Sequence, residues 1–377
     1  MAESTVMRLR SAWFQVHKWI GILLALLIIP ISLTGSALVW HDWLDETLNP
    51  GRYAVTGSEA ALAPSAYAEA ARPVLAPGER VMSIRYPEGE GPVLVQAARP
   101  PQPGGGRPVR TNVWLDPPTG RVLDKAGSNE GAARVLHVLH GSLMIPETGR
   151  QIVGWVGVAM FVSCLTGLWL WWPATGGVRR GFRWRRQNST NANLHHQMGF
   201  WILLPLAMLS FTGAWISFPQ FFGRFEAAPQ SKAGGPGPQA QARPLERTAA
   251  TPEAALAAAR VHAGGALASI GWPNERDHVW TFEFAREGGA AQVAVDDPTL
   301  VAKPPRPPRP ETRARLMRRW HDGTGMGPFW QTIIFIGGII PALLAVTGIL
   351  MWLRSRRWRR RLAAKRKGQQ LAPQPAE

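Results

Sequence analysis

Cysteine is all but missing from this sequence: Cys164 is the only one in 377 residues. No disulfide can form within the chain, and thiolate-ligated zinc or iron–sulfur centres are excluded, so any redox centre must use other ligands. Tyrosine is nearly as scarce, with three residues against 18 tryptophans. Charge of either sign is absent from four stretches, residues 19–40, 152–172, 200–218 and 329–353. Each has about the 20 apolar residues that a ~30 Å hydrocarbon core demands of a helix. Tryptophan at their ends suits the membrane interface. The near-zero mean hydropathy is therefore an average over spans and polar, Pro/Gly-rich segments. No charge inside a span argues against proton- or ion-coupled transport.

Acidic residues are nearly absent from three segments that flank the spans. Arg8, Arg10 and Lys18 precede the first; Arg179, Arg180, Arg183, Arg185 and Arg186 follow the second; nine basic residues from Arg354 to Lys367 follow the fourth. Against them stand only Glu3 and Glu377, so these segments carry +15 of the formal +17. By the positive-inside rule they are cytoplasmic. A basic run abutting a span reads as a lipid-facing anchor rather than a nucleic-acid site. The first span is expected to be retained, because its run exceeds a signal-peptide core and "SALVWHDW" offers no small-x-small site. The expected organisation is a cytoplasmic N-terminus and first span (1–41), an exported domain (42–136), a histidine segment and second span (137–173), and a basic cytoplasmic loop (174–194). A third span (195–218), a second exported domain (219–320), a histidine segment and fourth span (321–353), and a basic tail (354–377) complete it.

The chain repeats itself. A shift of 178 superposes His17 on His195, Gly21 on Gly199, Thr34 on Thr212 and Gly35 on Gly213. A shift of 181 places His140 on His321 and Thr166-Gly167 on Thr347-Gly348, and a shift of 180 brings "VWLDPPTG" onto "VAVDDPTL". The unit is span, exported domain, span, written twice. An even number of spans per unit makes the copies parallel, related by an axis along the membrane normal. The fold class expected is an all-α, four-helix transmembrane core of two parallel repeats with two exported α+β domains.

That symmetry sorts the histidines. His17 and His195 stand at the cytoplasmic ends of spans one and three, and His140 and His321 at the exported ends of spans two and four. Two neutral imidazoles on opposite sides of a flat metallocycle hold a bis-His haem, so the expectation is two haems, one near each face. Gly21 and Gly199 lie one turn beyond their histidines, where a missing side chain leaves room for a porphyrin. Gly35 and Gly213 would serve the exported haem likewise, and Gly167 and Gly348 the cytoplasmic one. Helix packing is the other use of such glycines. His196 is the alternative to His195. His137, whose repeat counterpart is Arg318, and His41, whose counterpart is Pro219, are unpaired and read as supporting or substrate-contacting residues. Arg134, Arg315, Arg318 and Arg319 would attract an anionic chelate or haem propionates, or merely anchor the interface.

A hydrolytic metal site lacks its motif: there is no HExxH, and no carboxylate lies within a turn of both paired histidines. No Gly-rich nucleotide, nicotinamide or flavin site is visible either. Electrons would have to come from a cytoplasmic donor protein or membrane quinol.

"QVHKWIGILLALLIIPISLTGSALVW", "HVLHGSL…TGLWLWWP" and "LDPPTGRVL" together resemble the PepSY-associated transmembrane family, in its branch of inner-membrane ferric-siderophore reductases. The resemblance covers nearly the whole chain. It implies a bacterial inner-membrane location with periplasmic loops, a PepSY domain in each loop, b-type haem on His17, His140, His195 and His321, and reduction of ferric siderophore to release Fe(II). The loops agree in pattern: "APSAYAEAARPVLA" reads as a helix, and "VMSIRYP", "VLVQA" and "TNVWLD" as strands, repeated by "TPEAALAAARVHA", "VWTFEFA" and "AQVAVDD". An electron would enter at the cytoplasmic pair and leave from the exported pair to a docked chelate. The rival readings are a non-redox siderophore or peptide transporter, a scaffold presenting PepSY domains to an exported protease, and a quinol-linked cytochrome with another acceptor.

Overall fold

The computed structural model describes residues 2–99, 110–172, 178–184, 187–225, 242–286, 289–303 and 311–371. The Pro/Gly-rich stretches 99–108, 229–244 and 303–311, which read as linkers or hairpin tips, fall largely outside these, as do Arg185 and Arg186. In chain order the first half holds α1 (Ala2–Val39), α2 (His41–Leu48), α3 (Pro64–Ala71), β1 (Arg80–Arg85), β2 (Val93–Ala98), β3 (Arg110–Leu115), β4 (Val122–Gly127), α4 (Ala132–Ser142) and α5 (Gly149–Trp171). The second half holds α6 (Thr190–Trp201), α7 (Leu203–Ser217), α8 (Pro219–Phe222), α9 (Pro252–Arg260), β5 (Ala266–Gly271), β6 (Val279–Arg286), β7 (Gly289–Asp296), β8 (Ala302–Lys303), α10 (Arg313–Asp322) and α11 (Gly327–Leu371). These elements form two compact units, one of helices and one built on a sheet.

In the helical unit three helices are long and apolar enough to cross a membrane, four if α6 and α7 are counted as one bent span. The third span is thus not the continuous helix expected over 195–218: α6 and α7 meet at Ile202 with a 65° bend. Pro205 supplies the reason. It has no N–H for the Trp201 carbonyl and its ring crowds that group at the break, although Pro30 and Pro341 are carried inside continuous α1 and α11. The repeat-related position in α1 is Leu27, and α1 runs through unbroken. α1 packs on α5 and α11, and α7 on α5, α10 and α11. The basic tail continues α11 as helix.

The sheet unit departs from the expectation of two separate domains. Its eight strands form one antiparallel sheet in the order β4-β3-β2-β1-β5-β6-β7-β8. The two loops meet at β1 and β5, where Ile84 pairs with Ile270 and both are fully buried. Backbone bonds from Tyr86 to Ala268 and from Trp272 to Met82, 2.9 and 2.8 Å, extend the seam. Alone, each loop would leave an exposed strand edge open to foreign pairing, and the seam removes both edges at once. Each half keeps its own core: Tyr67, Ala68 and Ala71 of α3 against Val93, Val95 and Val113, and Ala255 and Ala259 of α9 against Trp280, Phe282 and Val293. Inward residues alternate along β6 and β7 as period 2 requires. α9 starts as expected, with Thr251 Oγ1 accepting the Ala254 N–H at 3.2 Å and Pro252 in the first turn.

Asp116, fully buried at the turn after β3, ties this unit to its preceding segment. Its carboxylate accepts the Thr56 N–H and hydroxyl, both at 2.7 Å, and the Thr119 hydroxyl. Burial alone would raise its pKa, but these donors more than offset it and hold the group below 3.8. A depressed folded value means the stabilisation is present above the unfolded value and fades as pH falls through the folded one. Asp116→Ala is expected to destabilise the sheet unit by about 2 kcal/mol at pH 7. The deficit should shrink as pH drops below about 4, measured by thermal unfolding of the detergent-solubilised chain across pH.

Candidate paired-histidine site

The helical unit brings the four histidines together in the pairs that the repeat implies. The ring centroids of His17 on α1 and His195 on α6 lie 6.4 Å apart, and those of His140 on α4 and His321 on α10 lie 5.9 Å apart. The rings are twisted by 83° in the first pair and 43° in the second. An imidazole nitrogen stands about 2 Å from a metal it ligates, so two rings sharing one ion through Nε2 have centroids about 6 Å apart. Both pairs have that separation.

A helix neighbouring each ring holds its other nitrogen. His17 Nδ1 lies 3.0 Å from Thr166 Oγ1 on α5, and His195 Nδ1 lies 3.0 Å from Thr347 Oγ1 on α11. His321 Nδ1 lies 2.9 Å from Thr212 Oγ1 on α7, and His140 Nδ1 lies 2.8 Å from the Ile31 carbonyl on α1. The hydroxyls of Thr166, Thr212 and Thr347 also lie within hydrogen-bond reach of carbonyls of their own helix, Val162 and Ser163, Met208 and Leu209, and Leu343 and Leu344, and His17 Nδ1 has Ser163 Oγ at 3.3 Å as a second neighbour. The Ile31 carbonyl can only accept, so His140 donates Nδ1–H and keeps a lone pair on Nε2, the form in which histidine ligates metal.

The glycines divide into two groups. A Cβ on Gly35 would stand 2.7 Å from His140 Cε1, on Gly213 3.1 Å from His321 Cε1, on Gly167 3.2 Å from His17 Cε1, and on Gly348 3.5 Å from His195 Cε1. These four were expected to make room for a porphyrin, and the structure gives the space to the imidazoles instead. Thr and Gly of each "TG" thus act together at His17, His195 and His321, the hydroxyl fixing Nδ1 and the glycine admitting the ring edge. Gly21 and Gly199 behave differently: a Cβ on Gly21 would meet nothing within 4 Å, and on Gly199 only Leu344 at 3.9 Å. The roles of the threonines were missed in the sequence, although their repetition beside the glycines was the signal.

The remaining histidines do not join the pairs. His196 stacks on Trp171, centroids 6.1 Å apart, which in turn stacks on Phe200 at 4.1 Å, so it does not replace His195. His137 is exposed on α4 one turn before His140. His41 begins α2 in the sheet unit and pairs with Asp42 at 3.2 Å. Arg319 pairs with Glu311 at 3.0 Å, while Arg315 and Arg318 are exposed on α10. Among the described residues no three His, Cys, Asp or Glu side chains converge as a zinc site would require.

Alanine at the four ring-contacting glycines gives a graded test. Gly35→Ala is expected to lower the stability of the detergent-solubilised protein most, by about 1–3 kcal/mol of overpacking, with Gly213→Ala and Gly167→Ala intermediate and Gly348→Ala near wild type. The order of their melting temperatures is the check.

Among curated proteins none matches the chain. The family model described as the PepSY-associated TM region matches residues 14–355, a span that contains all four paired histidines and both halves of the sheet. This chain is a membrane protein and belongs to the PepSY-associated transmembrane family.

Proposed function

We propose that the chain is a b-type cytochrome that reduces ferric siderophore at the exported face of a bacterial inner membrane. In this reading the four spans form a core of two parallel repeats and each sheet half is a PepSY-like domain. The N- and C-termini are cytoplasmic, and the donor is a cytoplasmic protein or membrane quinol. One observation carries it: two pairs of imidazoles, 6.4 and 5.9 Å apart, each ring held at Nδ1 by a neighbouring helix. Two nitrogen donors on opposite sides suit haem, whose macrocycle supplies the other ligands, and are too few for a mononuclear zinc site. The open face at Gly21 and the near-open one at Gly199 fit a flat ring beside His17 and His195.

Haem held by these histidines would supply one-electron redox chemistry. The chain's own residues do the rest. The threonine hydroxyls and the Ile31 carbonyl fix the ring rotation, and the carbonyl fixes the tautomer of His140. His140 and His321 occupy the positions that a chelate's iron would need, so the chelate is held outside the pair. Arg315 and Arg318 place positive charge on the helix that carries His321, suited to an anionic chelate. Siderophores grip iron(III) through hard oxygen donors, and iron(II) is bound less firmly by them, so reduction releases the metal.

The test is the reduced-minus-oxidised spectrum and haem-to-protein ratio of the purified chain beside His17→Ala and His321→Ala. Two low-spin b haems per chain, with each substitution unseating one, are expected, followed by reduction of a ferric chelate by the prereduced protein. A colourless protein would sink the reading and favour a non-redox scaffold or transporter.

A further inference from the structure

A cavity of about 480 Å³ opens beside α6, lined by uncharged amide and hydroxyl side chains between Gln187 and Asn193 and by Arg354 of α11. Its place relative to the first histidine pair follows from helix geometry. Asn191 precedes His195 by four residues, one turn along the same face of α6. Arg354 follows Thr347 by seven, two turns along the same face of α11. His195 and Thr347 are themselves in contact at 3.0 Å. The two faces that meet at the imidazole therefore line the cavity about 5–10 Å further on, on the side of His195 away from Gly199.

The walls are preformed. Asn193, 5% exposed, donates through Nδ2 to the Gln187 and Ser189 carbonyls, both at 3.0 Å, and accepts the Gln187 N–H at 2.8 Å. Its amide is spent on fixing the loop, which leaves Gln187, Asn188 and Asn191 to face the space. No carboxylate lines the cavity, and among the described residues Arg354 pairs with none. An exposed guanidinium beside amide and hydroxyl groups has the chemistry of a carboxylate receptor, because its fork matches both carboxylate oxygens.

We propose that this cavity binds the carboxylates of the ligand seated between His17 and His195. The inference rests on the haem reading, in which those carboxylates are the propionates of the haem on the cytoplasmic side. Arg354 and the amides then fix the rotation of the ring about the His17–His195 axis, and the guanidinium charge favours the reduced iron.

A redox titration of the full-length protein with Arg354→Gln and Arg354→Lys tests this. Arg354→Gln should keep the low-spin spectrum and the haem ratio but lower the midpoint of one haem only. The size expected is several-fold to tenfold in the ferric-to-ferrous ratio, tenfold being 59 mV for one electron. Arg354→Lys should recover most of the shift, and added succinate should not move the wild-type midpoint. A midpoint unmoved by Arg354→Gln in a haem-loaded protein overturns the proposal while leaving the haem reading intact. A wild-type midpoint that follows succinate concentration overturns it too, assigning the cavity to a soluble carboxylate. A chain without haem removes both readings together.

Discussion

The hydrogen bond at Nδ1 is the constraint on which the paired-histidine geometry depends. An imidazole on a helix can rotate about two bonds, and two such rings from different helices would not face one another unless something fixed both. Here each ring is held by an element that is not its own, α5 for His17, α11 for His195, α1 for His140 and α7 for His321. The bond also decides the chemistry, because a ring that donates at Nδ1 presents a lone pair at Nε2. Loss of one partner would free the rotation.

The cross-bracing makes the bundle and the site one construction. Thr166, Thr212 and Thr347 are 2%, 0% and 8% exposed, and a buried hydroxyl must satisfy both its proton and its lone pairs. Helix carbonyls and an imidazole nitrogen surround each hydroxyl, so neither group is left with an unmet desolvation penalty. The glycines that follow allow the approach. Gly35, Gly167, Gly213 and Gly348 belong to the packing of imidazole against helix, while Gly21 and Gly199 leave space beside it.

The sheet unit shows the same repeat resolved in another way. Two loops far apart in sequence share one sheet because β1 and β5 each have an edge to hide, and Tyr86 and Trp272 at the seam pack against both cores. β1, β2, β3, β6 and β7 were legible from alternating apolar residues, but β4, β5 and β8 were not. β4 ("VLDKAG") has no fully buried residue and β5 ("ALASIG") has one, so neither carries a strong period-2 signal. They are strands because their neighbours offer hydrogen bonds, which is a tertiary matter.

The sequence by itself marked the apolar runs, three of which are helices of membrane-spanning length and the fourth a bent pair, and the pairing of His17 with His195 and His140 with His321, from repeat shifts. Both are local or one-dimensional signals, readable because hydrophobic length and duplication leave their mark residue by residue. Only the tertiary structure decided what the Thr-Gly pairs do, that His196 turns to Trp171, that α6 and α7 bend at Ile202 while α1 stays continuous through Pro30, and that the two loops form one sheet. Spacing places a residue on a helix face or strand, but in the Thr-Gly contacts and in the shared sheet the partner belongs to an element more than 100 residues away.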